Sequence, residues 1–348
     1  MISIHDHDAV GELGRRHRLD PYWVRRLRIA FHKKHLPVAE ALEELPADAA
    51  GDFSREIDFH PLTLESRHDS KRDGATRLMF RTRSGNLIES VVLRIATGRT
   101  TLCLSTQSGC AAACTFCATG TLGLKQNLTA AEILDQVAQA NMILRAEERR
   151  VRNLVFMGMG EPFHNEPELY RAIDRLSARE GLHYDPRRML VSTVGIPDAM
   201  VRCATRFPRV RLALSLHSAR QEVRDELMPV SQRNSLESLR AAIEVITAIQ
   251  REPMMIEYLL LRDANDTPAD LDALAAYLGG LDVHINLIPF NRVPEISALE
   301  ASLPERCQEF SRGLKRRGFK VTTRYSLGGD IAAACGQLAR VSELAGVS

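Results

Sequence analysis

From about residue 100 to residue 324, short apolar or β-branched runs alternate with segments of helical period. The runs are Thr101–Ser105, Asn153–Met157, Met189–Thr193, Val210–Leu216, Met254–Leu261, Val283–Ile288 and Lys320–Arg324. Between them, Ala131–Leu144 carries Ile133, Leu134, Val137 and Leu144 on one stripe. Leu236–Ile249 does the same with Leu239, Ile243 and Ile246, and Pro268–Leu278 with Leu271, Leu274 and Leu278. A strand–helix unit repeated about six times requires parallel strands joined by right-handed crossovers. Two closures satisfy that pattern, an open doubly wound sheet and a complete or partial barrel. No GxGxxG follows the first run, which disfavours a dinucleotide-binding sheet. The expected fold class is α/β, and a barrel closure would place its chemistry in loops at the carboxyl ends of the strands.

The first hundred residues follow another pattern. Tyr22–Phe31 reads as a helix with Trp23, Leu27 and Phe31 on one stripe, and Arg15–Lys34 holds eight Lys or Arg residues against one acid, Asp20. That face suits phosphate contacts or plain solvation equally well. Thr76–Thr82 and Leu87–Ile95 alternate apolar and polar residues about Ser84-Gly85-Asn86, the pattern of a β-hairpin. The expected organisation is 1–72 as a helical accessory region able to contact RNA and 73–98 as a hairpin. Residues 99–326 form the barrel, and 327–348 a carboxyl-terminal tail.

With 45% hydrophobic and 26% charged residues the chain has the composition of a globular protein, not of a disordered one. Lys and Arg total 46 against 44 for Asp and Glu, so bulk charge points to no partner. No apolar run is long enough to span a membrane, and the first residues lack a secretion signal. The expected location is the cytoplasm, where thiols stay reduced. Four of seven cysteines, Cys103, Cys110, Cys114 and Cys117, lie close together. In a reducing compartment such a cluster signals metal or redox chemistry. Cys110-x3-Cys114-x2-Cys117 holds three thiols in one loop, which leaves one iron of a four-iron cluster without a protein ligand. The alternative is zinc held by these three and a distant histidine. Cys103, on the strand seven residues upstream of Cys110, is poorly placed to join the loop, while Cys203 and Cys307 read as packing residues.

Cys110-Ala111-Ala112-Ala113-Cys114-Thr115-Phe116-Cys117 resembles the CxxxCxFC motif of radical S-adenosylmethionine enzymes. In that superfamily the amino and carboxylate groups of the cofactor chelate the unique iron, and an electron from the cluster generates a 5′-deoxyadenosyl radical. Further motifs stand at successive strand ends: Met157-Gly158-Met159-Gly160-Glu161-Pro162, Ser192-Thr193-Val194-Gly195, Ser215-Leu216-His217 and Asn286–Asn291. With Ala334-Cys335-Gly336-Gln337-Leu338 they resemble the RlmN/Cfr family of RNA adenine methyltransferases, from about Asp73 to Arg340.

The resemblance implies an α/β fold, a partial (βα)6 radical S-adenosylmethionine barrel, with Cys110, Cys114 and Cys117 as cluster ligands. It implies Gly160, Glu161, Ser192, Ser215, Leu216, His217 and Asn291 as S-adenosylmethionine contacts. Cys335 is implied as the methyl-accepting cysteine, Cys103 as the thiol that closes a transient disulfide with it, and Glu89 as the general base. The activity implied is methylation of an adenine of large-subunit 23S ribosomal RNA, and of transfer RNA as a second candidate, at carbon 2 or carbon 8. One [4Fe-4S] cluster, S-adenosylmethionine, an external electron donor such as flavodoxin and a monomeric state complete the expectation. Two rival functions stay open, a radical enzyme with a small-molecule substrate and a non-catalytic iron–sulfur or zinc protein that binds RNA.

Overall fold

The computed structural model describes residues 1–95, 97–292 and 298–338, so residues 339–348 of the expected tail lie outside the described residues. Ten strands form one sheet: β1 (Thr63–Asp69), β2 (Ala75–Arg81), β3 (Leu87–Arg94), β4 (Thr100–Cys103), β5 (Asn153–Phe156), β6 (Met189–Thr193), β7 (Arg211–Ser215), β8 (Met254–Leu260), β9 (Val283–Pro289) and β10 (Lys320–Thr323). Each pairs with its predecessor in the chain, antiparallel from β1 to β4 and parallel from β4 to β10. Helices supply the parallel crossovers. The one between β4 and β5, Ala130–Arg145, starts on a capping box in which Thr129 and Glu132 satisfy each other's backbone donors. Along it Ile133, Leu134, Val137 and Leu144 are buried in the core beside Leu102, Leu154 and Val191 of the strands.

All seven apolar runs of the sequence are strands of this sheet, with ends that agree to within two residues. The hairpin is β2 and β3, and it pairs with β4 in the register Val91↔Cys103, so it extends the barrel sheet instead of hanging from it. β1 was not anticipated. Its sequence, Thr-Leu-Glu-Ser-Arg-His-Asp, has no apolar alternation because most of its side chains are exposed. What places it is the free edge of β2, whose backbone groups it pairs.

Four helices precede the sheet: α1 (His7–Arg16), α2 (Pro21–His32), α3 (Val38–Leu42) and α4 (Ala47–Glu56). Asp20 caps α2 by accepting the Tyr22 N–H, and Pro21 fits its first turn. Leu27 and Phe31 are buried in a separate small core with Ile4, Val10, Leu13 and Phe53, and Trp23 is packed against it. Four of the eight cations of Arg15–Lys34 are neutralised. Arg16 pairs with Glu56, Arg26 and Lys34 with Glu44, and Arg28 with Glu180. Among the described residues no helix is long and apolar enough to cross a membrane.

The helical region is joined to the barrel through the crossover helix Ala130–Arg145, whose Ala138 completes the small core. Beside it Asp135 is wholly buried and accepts from the Leu62 N–H at 3.0 Å, Gln139 Nε2 at 2.9 Å and His60 Nδ1 at 2.8 Å. Burial alone raises a carboxyl pKa; here His5 and His60 outweigh it and hold Asp135 below its ordinary value. Asp135→Ala strips several buried donors of their acceptor at once and is expected to destabilise the chain by about 3 kcal/mol. Urea unfolding followed by tryptophan fluorescence reads this directly, because Trp23 lies in the affected region.

Candidate active site at the carboxyl ends of the strands

After β4 the chain makes a short strand, Gln107–Gly109, which pairs antiparallel with Leu124–Asn127 and closes the base of the cysteine loop. The loop is held by its backbone: Cys110 N–H donates to the Gly123 carbonyl at 3.0 Å and Thr115 N–H to the Leu227 carbonyl at 3.0 Å. Burial pushes the Cys110 thiol up to about 12, Cys114 well above its ordinary value, and Cys117 upward as well. Three neutral thiols in an apolar setting are ligands awaiting a cation, whose charge would reverse the preference for the protonated form. Among the described residues no three His, Cys, Asp or Glu side chains are gathered as they would be around a single ion. A four-iron cluster would take the three thiolates on three different irons.

The carboxyl-terminal tail is tied to this loop. Ala118 N–H, next to Cys117, donates to the Gly336 carbonyl at 2.8 Å, and Thr119 Oγ1 donates to the Leu338 carbonyl at 3.1 Å. The Asn291 amide donates to the Cys335 carbonyl at 3.3 Å and to Ser326 Oγ at 2.9 Å. At the other end of the tail Asp73 accepts the Gly328 N–H, and Asp330 accepts Ser70 Oγ and the Lys71 N–H. Both ends are thus anchored, and Cys335 is placed between them.

Two cavities meet at Cys335. The outer cleft, about 980 Å³, is walled by the three loop cysteines, Phe116, Gly160 and Glu161, with Ser192, Ser215, His217 and Glu257 from successive strand ends. The inner pocket, about 590 Å³, has Val91, Leu93 and Val155 in its wall, with Arg324, Thr119, Ser326 and the thiols as its polar groups. Cys117, Gly158, Cys335 and Gly336 line both, while Cys103 lines only the inner one. Two glycines let the loop after β5 pack closely on the segment that leaves β4. A Cβ on Gly158 would meet the Leu104 carbonyl at 2.7 Å, and Gly160 has φ +100° with the Gln107 side chain 2.5 Å from where a Cβ would stand.

The cleft's polar groups are held by one another. Glu161 accepts from Thr193 Oγ1 and the Val194 N–H, both at 2.8 Å, and burial lifts its pKa to about 7. His217 has left-handed backbone, φ +56°, and its Nδ1 accepts the Leu259 N–H at 3.1 Å, so its proton is on Nε2. Burial lowers its pKa to about 3, and Phe116 meets the ring edge-on at 5.0 Å. Ser192 Oγ donates to Glu257 Oε2 at 3.0 Å and lies 3.5 Å from Ser215 Oγ.

Three expected site residues stand elsewhere. The Leu216 side chain is wholly buried in the barrel core and lines neither cavity; the residue acts through its backbone, donating to the Glu257 carbonyl. Asn291 lines neither cavity and instead fastens the tail. Glu89 is buried, with Arg77 Nη1 3.7 Å from its carboxylate, on the face of β3 that presents Val91 and Leu93 to the inner pocket. Two residues escaped the sequence reading. Glu257 interrupts an apolar run, Met254–Leu261, where a lone acid is itself a signal. Burial raises its pKa against the pull of Arg324. Arg324 ends β10 and carried no signal. Burial disfavours its charge, but Cys335, Glu257 and Cys103 beside it more than compensate. Cys203 and Cys307 are buried in helices, as packing residues should be.

Residues 104–275 match the model of the radical SAM superfamily. A probable RNA methyltransferase of Rhodopirellula baltica is 51% identical over 98% of this chain and 87% of its own length. The dual-specificity RNA methyltransferase RlmN of Syntrophotalea carbinolica is 40% identical over 86% of this chain and 78% of its own. The crystal structure of a radical SAM methyltransferase from Sphaerobacter thermophilus, 34% identical, covers 97% of this chain and 99% of its own with a TM-score of 0.93. With relatives this similar along nearly the whole length, and a cysteine loop facing strand-end polar groups across one cleft, the chain belongs to the RlmN family of radical SAM methyltransferases.

Proposed function

We propose that this chain methylates an adenine of RNA at carbon 2 or carbon 8, with the transferred carbon carried on Cys335. The observation that carries the reading is the place of Cys335, on the shared wall between the cysteine loop's cleft and a pocket that also holds Cys103. The relatives' names supply the RNA.

The family uses a [4Fe-4S] cluster and S-adenosylmethionine. In this reading Cys110, Cys114 and Cys117 hold the cluster, which when bound supplies the electron that splits the sulfonium. Glu161 faces the ammonium of the amino acid part, and Ser192, Ser215 and the Nε2–H of His217 offer hydrogen bonds to the rest. Cys335 takes a methyl group from one S-adenosylmethionine as its thiol proton leaves. The 5′-deoxyadenosyl radical from a second would remove one hydrogen atom of that methyl, whose carbon then bonds the ring. The adduct's extra electron would return to the cluster as the ring proton leaves. Cys103 then attacks the Cys335 sulfur and frees the product as a disulfide forms. Burial pushes the Cys103 thiol up to about 12, with Arg324 opposing. Glu89 removes the ring proton, from one pleat beyond Val91 on the same face of β3. An external one-electron donor such as flavodoxin, a cytoplasmic location and a monomer belong to the same reading.

Cys335→Ala is expected to keep the cluster and the uncoupled formation of 5′-deoxyadenosine but to yield no methyladenine. Mass spectrometry of nucleosides from RNA incubated with the enzyme checks this, and continued methylation would refute the carrier role. Glu161→Gln is expected to weaken S-adenosylmethionine binding about tenfold or more, the loss of one charge-assisted hydrogen bond. The wild-type affinity is also expected to fall as pH drops below about 7, because binding an ammonium needs the carboxylate and Glu161 is protonated there. The glutamine variant should lack that pH dependence in anaerobic titrations.

A further inference from the structure

Cys103 ends β4 in the wall of the inner pocket, half-buried. Its partners across the sheet, Val91 of β3 and Val155 of β5, are apolar. Burial pushes the Cys103 thiol up to about 12, and Cys335 beside it adds to the rise. At neutral pH such a sulfur is almost wholly protonated, and a protonated thiol is a poor nucleophile.

Few charged or titratable groups surround it. Arg324 comes from the end of β10, Glu257 from β8 and Cys335 from the tail, and Cys117 of the loop shares the pocket wall. Glu89, two residues before Val91 on β3, is engaged with Arg77 of β2. Glu257 and Cys335 disfavour a thiolate at Cys103, whereas Arg324 favours one.

Arg324 is free to do so. Its backbone N–H donates to the Leu287 carbonyl at 2.9 Å, one bond beyond β10, which fixes where the side chain starts. Two other cations withdrawn from solvent show the contrast. Arg94 is held by both oxygens of Glu147, at 2.6 and 2.7 Å, and Arg224 by the Leu216 and Val194 carbonyls. Arg324 forms no ion pair among the described residues, and its Nη1 meets only Met157 Sδ, at 4.0 Å. Glu257 lies within its field but is bonded to Ser192. A half-buried guanidinium is costly unless it meets an anion, and the groups of this pocket wall that can become anionic are thiols. Once the transferred carbon has bonded the ring, Cys335 is an uncharged thioether. Its opposition to Cys103 is then gone, and the attraction of Arg324 is left.

We propose that Arg324 stabilises the Cys103 thiolate that attacks the Cys335 sulfur and releases the methylated base; this rests on the carrier reading of Cys335 above. The Cys103 proton passes to solvent through the cleft. The S–S bond forms as the bond from the Cys335 sulfur to the methylene carbon breaks. The electron pair of that bond goes to the carbon, which takes a proton from water to become the methyl group. The two sulfurs are oxidised and the carbon is reduced, and an external dithiol restores both thiols before the next turnover.

The test uses the full chain with its cluster, a synthetic RNA hairpin bearing an unpaired adenine, and Cys103→Ala as the reference for stalled release. Arg324→Gln is expected to methylate Cys335 and form 5′-deoxyadenosine as the wild type does, but to accumulate a protein–RNA adduct on denaturing gels. Release from that adduct should be at least about threefold slower than in the wild type near neutral pH. One unit of lost acidity removes about tenfold of the thiolate, and the more basic sulfur regains about threefold as a nucleophile. Raising the pH by one unit should speed release from the Arg324→Gln adduct about tenfold, whereas the Cys103→Ala adduct should not respond. Arg324→Lys, which keeps the charge, should release like the wild type, a rescue that a merely structural role does not give. Arg324→Met, a second neutral variant, should match Arg324→Gln, and release at the wild-type rate by either neutral variant overturns the proposal. Loss of Cys335 methylation or of 5′-deoxyadenosine in the neutral variants also overturns it, because Arg324 then serves the cofactor. Cys103→Ala without an adduct overturns the carrier reading and the proposal together, whereas an adduct there with wild-type release in the neutral variants overturns the proposal alone.

Discussion

Parallel pairing is the constraint on which the site depends. Because β4 to β10 all run the same way, their carboxyl ends lie along one edge, and every loop leaving that edge enters the same space. Glu161, Ser192, Ser215, His217 and Glu257 come from four different crossovers or strands and meet there only for that reason. Buried polar groups at such an edge are costly unless bonded. The observed arrangement answers with donors from neighbouring strands: Thr193 and Val194 to Glu161, Ser192 to Glu257, Leu259 to His217. The partners that steady these side chains are supplied by the same register that gathers them.

The tail adds what the barrel lacks. A thiol on a free terminus would sample a large volume, and ordering it would be opposed by its conformational entropy. Here backbone bonds to Ala118 on one side and to Asp73 on the other limit the segment that bears Cys335. Burial beside the inner pocket makes the Cys103 thiol a poor acid, and Arg324 is the cation that opposes this. Arg324 and Glu257 thus join the two cavities electrostatically, although neither belongs to a motif that spacing reveals.

The fold was legible wherever burial left an apolar stripe or a continuous apolar run. Helices such as Pro268–Leu278 present an apolar stripe, and strands buried on both faces, such as β8, are continuous apolar runs, so their periods are written in the residues. β1 was not legible, because its side chains face solvent and its place is set by main-chain pairing to β2. The basic stretch of α1 and α2 misled in the same way. Its charges look available in the sequence, yet Glu44, Glu56 and Glu180 neutralise half of them from other elements. Glu89, which reads as an exposed hairpin carboxylate, is buried because β3 is interior to the sheet and not at its edge.

The residues alone determined the element types, the parallel α/β class and the three-thiol loop, since each depends on neighbours within a few positions along the chain. Only the tertiary structure decided that Cys335, Cys117 and Cys103 line one pocket and that Glu257 braces Ser192. Those are contacts between segments far apart in the chain. No local period encodes them, because they follow from how the sheet curls and from which backbone donors the tail finds when it returns.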